Sequence, residues 1–259
     1  MTSQAPGFGA LADRHATLIG LQKVSFPDRP TLEAALEAVR RGMADSPSHA
    51  PPNLALLAGS TPPIDAGILR GTTASEHERP PHHGLIYVRC HGDEPDGVWM
   101  PPGATAQTGR VRYQRHGGYE NPERDSNEAK LAVVVDIDFE SPDTSRLATW
   151  ADLVLDALRT DPARPDALIS AQFYVSDDAT HVVNLALWSS ERDYDTALDS
   201  GPPGVAQTDT PQWRGVMSFD GICRNTVSRY TDIATWASER DPAGQLAASV
   251  SSRRTRLAG

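Results

Sequence analysis

The chain has 259 residues, with 39% hydrophobic and 22% charged side chains and a formal net charge of −10. That is a globular composition, and its scattered cations make no cationic footprint for nucleic acid. No apolar run approaches the roughly 20 residues of a membrane-spanning helix. The first fifteen residues lack the basic and apolar regions of a secretory leader, so a cytoplasmic location is expected.

Residues 1–15 read as a loose arm, and ATLIGLQKVSF (16–26) as a strand of branched apolar residues. Pro27-Asp28-Arg29-Pro30 breaks it, and Thr31 is placed to cap a helix. Along that helix Leu32, Leu36, Val39 and Met43 form one apolar stripe, and Asp45-Ser46-Pro47 stops it. NLALLAG (53–59), GLIYVRC (84–90) and GRVRYQRH (109–116) read as three more strands. The 24 residues Ser60–His83 and the stretch 91–108 carry no helix signal and suit lids or binding loops. Residues 117–130 are polar and read as a linker.

The pattern then repeats. LAVVVDIDF (131–139) is a strand, Ser141 and Pro142 suit a cap and first helical position, and Leu147, Trp150, Val154 and Leu158 form a second stripe. Trp150 is expected in the core. Strands at 168–176 and 181–189 flank a tight polar turn, and a helix follows at 190–199. GPPGVAQTDTP (201–211) is irregular, Trp213–Phe219 suits a helical turn, and 222–232 is a closing strand before a tail at 237–259. The matching order points to an internal duplication of period about 115 residues, too long for a solenoid. The expected domains are 16–116 and 131–232, each ferredoxin-like (βαββαβ), the first divergent with long loops.

Side chains two apart in a strand share a face. Asn184, Ala186 and Trp188 therefore lie together, opposite Val183, Leu185 and Leu187. An amide and an indole beside a small residue suit a lined pocket, although buried indoles also serve as plain core.

Asn184, then Trp188 four residues on, then Tyr194 six further, together with the strand pair LISAQFYVSDDATHVVNLALW, Ser190-Glu191 and Arg229-Tyr230, resemble the antibiotic biosynthesis monooxygenase superfamily. The resemblance implies α+β folds whose sheets pair into a barrel. The layout of two such domains in one chain is similar to the angucycline ring-opening oxygenases. The superfamily resemblance, through its small quinone-forming monooxygenases, implies Asn184, Trp188, Tyr194 and Arg214 as catalytic residues, with Tyr174 where the group can carry a histidine. Trp213, His83, Trp99 and Met100 are the further expected substrate contacts. An oxygenase acting on a polycyclic aromatic polyketide, with dioxygen and a homodimeric assembly, is the implied activity. No tightly bound cofactor is implied, and reduced flavin (FADH2 or FMNH2) from a separate flavin reductase is a candidate co-reactant. A cyclase of the same fold and a non-catalytic carrier of a hydrophobic ligand remain alternatives.

The other features read more blandly. Glu76, His77, Glu78, His82, His83, His91 and Asp93 crowd one loop region without a recognised metal spacing, so no metal site is expected. His181 is expected as a solvated edge residue. GFG (7–9) and GPPG (201–204) are turn chemistry rather than a dinucleotide fingerprint. Cys90 and Cys223 are expected as separate buried thiols.

Overall fold

A computed structural model describes residues 8, 11, 17–41, 53–59, 64–65, 82–89, 100–101, 103–199 and 210–237. The first half holds β1 (Leu18–Phe26), α1 (Arg29–Arg40), β2 (Asn53–Gly59), β3 (Ile64–Asp65), β4 (His82–Arg89), β5 (Thr105–Ala106) and β6 (Val111–Glu120). The second holds β7 (Leu131–Phe139), α2 (Thr144–Thr160), β8 (Leu168–Ser176), β9 (His181–Trp188), α3 (Glu191–Asp199), α4 (Pro211–Met217), β10 (Ile222–Tyr230) and β11 (Asp232–Ala237).

The fold is α+β, two ferredoxin-like units sharing one antiparallel sheet in the order β11-β2-β4-β1-β6-β8-β9-β7-β10-β3, with β5 on β1. The two ends of that path are the same piece of chain. β10 runs into β11 with only Thr231 between them, and the Thr231 N–H donates to the Ala58 carbonyl. β10 has β7 on one edge; β3 and β2 follow one another along the other, their register shifted by a single residue. The sheet therefore closes into a barrel, at a strand number whose interior side chains just fill.

The period of two sorts side chains between lumen and outer surface. Ile19, Leu57, Leu85, Tyr113, Val134, Tyr174, Leu185 and Tyr230, from both halves, fill the lumen. Across it Lys23 Nζ meets Asp136 Oδ2 at 2.6 Å, an ion pair between strands on opposite walls. Outside, α1 seals the first half with Leu32, Ala35, Leu36 and Val39. α2, α3 and α4 cover the second.

Several local expectations are corrected. Asp28 rather than Thr31 caps α1, its carboxylate accepting from the Thr31 N–H at 2.8 Å. Asp143 rather than Ser141 caps α2, accepting from the Arg146 N–H at 3.0 Å. In both, an aspartate three residues before an open N–H is the stronger acceptor. The linker starts later than expected, because Gly117 to Glu120 belong to β6 and pair with β8. Glycine reads as a strand breaker, yet Gly117 pairs within β6, and a Cβ there would come within 2.9 Å of the Leu155 Cδ1 on α2 and push that side chain aside. The closing strand reaches Ala237, because β11 finds in β2 a partner from the other half. Cys223 is an exposed free thiol rather than a buried one, at a bulge in β10, where its Sγ donates to the Asp138 carbonyl at 3.3 Å. The stop at Asp45-Ser46-Pro47, Met43, Cys90, most of the loops at 60–83 and 91–108 and the Gly/Pro loop at 201–209 lie outside the described residues.

Candidate active site

Between the outer face of the second half's sheet and α2, α3 and α4 lies a cavity of about 150 Å³. β7 contributes Val133, Val135 and Ile137 to its floor; β9 contributes Asn184, Ala186 and Trp188; β10 contributes Asn225 and Val227. Register fixes these neighbours. Val135 lies between Asn184 and Val227, and Ile137 faces Asn225. The helices supply the roof, with Trp150 and Val154 from α2, Tyr194 and Leu198 from α3, and Trp213 and Val216 from α4. None of the described lining residues is charged.

Several polar groups in this apolar setting have no partner among the described residues. The Asn184 Oδ1, the Trp188 Nε1, the Trp150 Nε1 and the Asn225 Oδ1 are all buried without a hydrogen bond. Native proteins leave few such groups, since each forfeits its hydration. The third indole on the lining behaves normally: the Trp213 Nε1 donates to Asp161 Oδ2 at 2.9 Å.

Tyr194 stands edge-on to Trp188, ring centroids 5.0 Å apart. α3 is fixed for this by Asp193, whose carboxylate accepts from the hydroxyls of Ser189 and Ser190 at 2.7 and 2.6 Å. Those bonds hold the Asp193 carboxyl below its usual range. Burial pushes the Tyr194 phenol above its ordinary value, and the nearby Arg229 guanidinium partly opposes the rise. That guanidinium sits 4.8 Å from the Tyr194 ring centroid and is held by Asp195 Oδ1 at 2.7 Å. A phenol so placed keeps its proton at neutral pH and can share or deliver it inside the cavity.

Among the expected site residues, Asn184, Trp188, Tyr194 and Trp213 meet around this cavity. The others do not. Tyr174 lies opposite Val183 rather than Asn184, so its ring enters the lumen on the far side of the sheet. His83 faces the lumen too, edge-on to Tyr230, where burial lowers its pKa to about 4. Arg214 is exposed on α4, on the opposite side of the helix from buried Val216, and is absent from the lining. Met100 packs against the first half's helix-side core. Trp99 lies outside the described residues. Asn225 and Arg229 are additions, legible in principle from their two-residue spacing around Val227. Trp150, expected as core, does pack between Phe139 and Phe173, but it also lines the cavity.

A second polar cluster lies in the lumen. Asp136, Asp138 and His181 bring ligand-type atoms within 4.8 Å of one another. His181 is half-buried rather than a solvated edge residue, because its Nδ1 lies 2.7 Å from Asp138 Oδ1. That bond raises its pKa. The Lys23 ammonium already occupies the cation's place beside Asp136. Of the loop histidines expected to crowd together, only His82 and His83 are among the described residues.

No family model matches the chain, and no curated protein matches it. Solved structures that align with it include three at low identity, each with a TM-score below 0.5. An anthrone oxidase-like protein aligns at 8% identity over 85% of this chain and 93% of its own, with a TM-score of 0.48. A ferredoxin-fold protein related to antibiotic biosynthesis monooxygenases, from Listeria monocytogenes 4b F2365, aligns at 10% identity over 83% and 94%, with a TM-score of 0.41. The monooxygenase of the gene ActVA-Orf6 of Streptomyces coelicolor, solved with nanaomycin D, aligns at 22% identity over 40% and 88%, with a TM-score of 0.31. These likenesses concern shape at low identity, and the chemistry has to come from the cavity itself.

Proposed function

We propose that the protein is an oxygenase acting on an electron-rich polycyclic aromatic polyketide, with residues 131–232 as the working domain and 16–116 as its divergent partner. The observation that carries this reading is the pairing of unpartnered Asn184 and Trp188 with a protonated phenol, Tyr194, inside an uncharged apolar cavity. Such a cavity suits a flat neutral ring system, and one of this size holds an aromatic ring. The strand register spreads the polar groups from the Trp188 level to the Asn225 level, six residues along β7 or roughly 20 Å. That length favours fused rings over a single one.

In the proposed reaction the substrate supplies the first electron to dioxygen, so the protein's work is positioning and shielding. The Trp188 N–H and the Asn184 Nδ2 N–H donate to the substrate oxygen on which negative charge grows as the ring becomes electron-rich, which leaves the Asn184 Oδ1 to accept from a substrate hydroxyl. The apolar walls exclude water from the substrate peroxide. Tyr194 donates to that peroxide as its O–O bond breaks. Oxidation of a ring CH2 to a carbonyl then balances as one dioxygen consumed and one water released. The finer reading is an angucycline-type substrate, in which Baeyer–Villiger-type insertion next to a carbonyl breaks a carbon–carbon bond to give a lactone, whose hydrolysis by water opens the ring. That outcome needs two further electrons, for which reduced flavin from a separate reductase is the proposed source. The described lining offers no cation for a flavin phosphate, so a flavin held in this cavity does not fit it. The barrel is closed by the chain's own halves, and the homodimer is proposed only as an assembly of complete barrels.

The test is oxygen uptake with a hydroxylated polycyclic quinol, with and without a flavin reductase, under air and under nitrogen. Oxygen-dependent turnover that places label from 18O2 in the product is expected. Equal turnover under nitrogen would instead make the protein a cyclase, and binding without reaction would make it a carrier.

A further inference from the structure

We infer that the end of the cavity remote from Trp188 is a second hydrogen-bonding subsite, built by the Trp150 indole N–H and the Asn225 side-chain carbonyl, that selects uncharged aromatic ligands carrying a hydroxyl at their far edge. The inference rests on the ligand-binding part of the reading above and names the ligand class more closely.

Trp150 is only 6% exposed, and its N–H has no acceptor. The Asn225 Oδ1 is buried and has no donor. The two belong to one end of the cavity. Asn225 faces Ile137 on β7, and Phe139, next along the same face of that strand, packs edge-on against Trp150. Trp188 faces Leu131 at the strand's other end. Trp213, on the same lining, has its N–H satisfied by Asp161, so an idle indole is not a general property of this core.

One idle group is a donor and the other an acceptor. A phenolic hydroxyl is both, accepting from Trp150 while donating to Asn225. A carbonyl would satisfy Trp150 alone. A carboxylate or sulfonate would bring a charge into a lining that has no cation to meet it. The subsite therefore discriminates by the presence of a neutral hydroxyl, the kind of selection in which a missing group leaves the protein's polar atoms unpaired.

The test is isothermal titration calorimetry of the full chain under nitrogen, so that no turnover is needed. The probes are 1-naphthol, 1,5-dihydroxynaphthalene and 5-methoxy-1-naphthol. For the unaltered protein the second hydroxyl is expected to tighten binding about tenfold over 1-naphthol. Methylating that hydroxyl removes the proton offered to Asn225 and is expected to lose most of the gain. Trp150→Phe and Asn225→Leu are each expected to erase the gain, so that the diol and 1-naphthol bind alike whatever their common Kd becomes. A gain that survives both variants, or variants that weaken all probes alike, would overturn the subsite. So would the absence of any gain, or of any binding, in the unaltered protein. Should a variant fail to fold, the three probes on the unaltered protein still decide. Tight diol binding with no oxygen uptake would end the oxygenase reading and leave the subsite standing.

Discussion

The two halves of the barrel begin alike and end differently. β1 and β7 are both nine-residue strands that start with Leu and finish with Phe. Aligned on those ends, Gln22 corresponds to Val135. Their cross-strand neighbours are Ile86 in the first half and Asn184 in the second. The first half thus has its polar side chain on the first strand, where the Gln22 Nε2 donates to the Thr108 carbonyl. The second has it on the third strand, facing a cavity. The helices follow suit. The 12-residue α1 lays Leu32, Leu36 and Val39 directly on the sheet. The 17-residue α2 shares its face with α3 and α4, and space remains beneath them. Among the described residues, one scaffold therefore carries a small recess beside α1 in one half and a larger lined chamber in the other. A few side chains and a longer, divided roof make the difference.

The sharpest way to break this contrast is to give the second half the first half's residue. Asn184→Ile is expected to cut kcat by about 10²–10³-fold, the scale for losing one oriented dipole at a developing charge. Thermal stability should hold or rise slightly, because an apolar replacement removes a carbonyl that had no partner. Oxygen uptake and a melting curve on the same sample check both. A large loss of stability would mean that Asn184 is part of the packing instead.

The joint between the halves comes next. Lys23→Met leaves Asp136 facing the lumen without its cation. Fully buried pairs lose about 3–5 kcal/mol in this way; partial exposure of Lys23 and Asp136 here reduces the expectation to about 1–2 kcal/mol. Urea unfolding measures it. Because the pair spans the lumen, the variant should unfold with a weaker coupling between halves while the cavity residues keep their places.

Arg229→Met concerns only the second half. The guanidinium lowers the Tyr194 pKa against the larger effect of burial, so its removal should send that pKa further up. The alkaline limb of the activity profile is expected to move to higher pH, with kcat at neutral pH changing a few-fold at most. An unmoved limb would show that Tyr194 does not titrate in the reaction.

The smallest effect is expected in the lumen. His181 has its pKa raised by the bond to Asp138, so the folded state holds its proton more tightly than the unfolded state. That contribution is complete below the ordinary histidine pKa and disappears as the pH rises through the elevated one. Melting temperature should therefore fall on the order of 1 °C more between pH 6 and 8 than in Asp138→Asn.

Much of this was legible in the sequence, and for definite reasons. The alternation of VVNLALW put Asn184, Ala186 and Trp188 on one face, and a period of two leaves no other choice. The helix stripes marked what α1 and α2 would bury. Choosing among candidates from different elements was harder. Tyr174 and Phe173 are adjacent in sequence, and only the register of β8 on β9 puts Phe173 beside Asn184 and Tyr174 in the lumen. Arg214 and Arg229 both lie downstream of Trp188. α4 turns the first outward, whereas β10 brings the second over Tyr194.

The sequence by itself determined where the longer strands and helices fall and which side chains within each strand share a face, because these depend on local periodicity and breaker residues. The tertiary structure decided which face became the lumen, how β10 and β11 join the halves, and where the roof helices leave room. Those depend on partners distant in the chain, and a strand carries no local mark of the one it will meet.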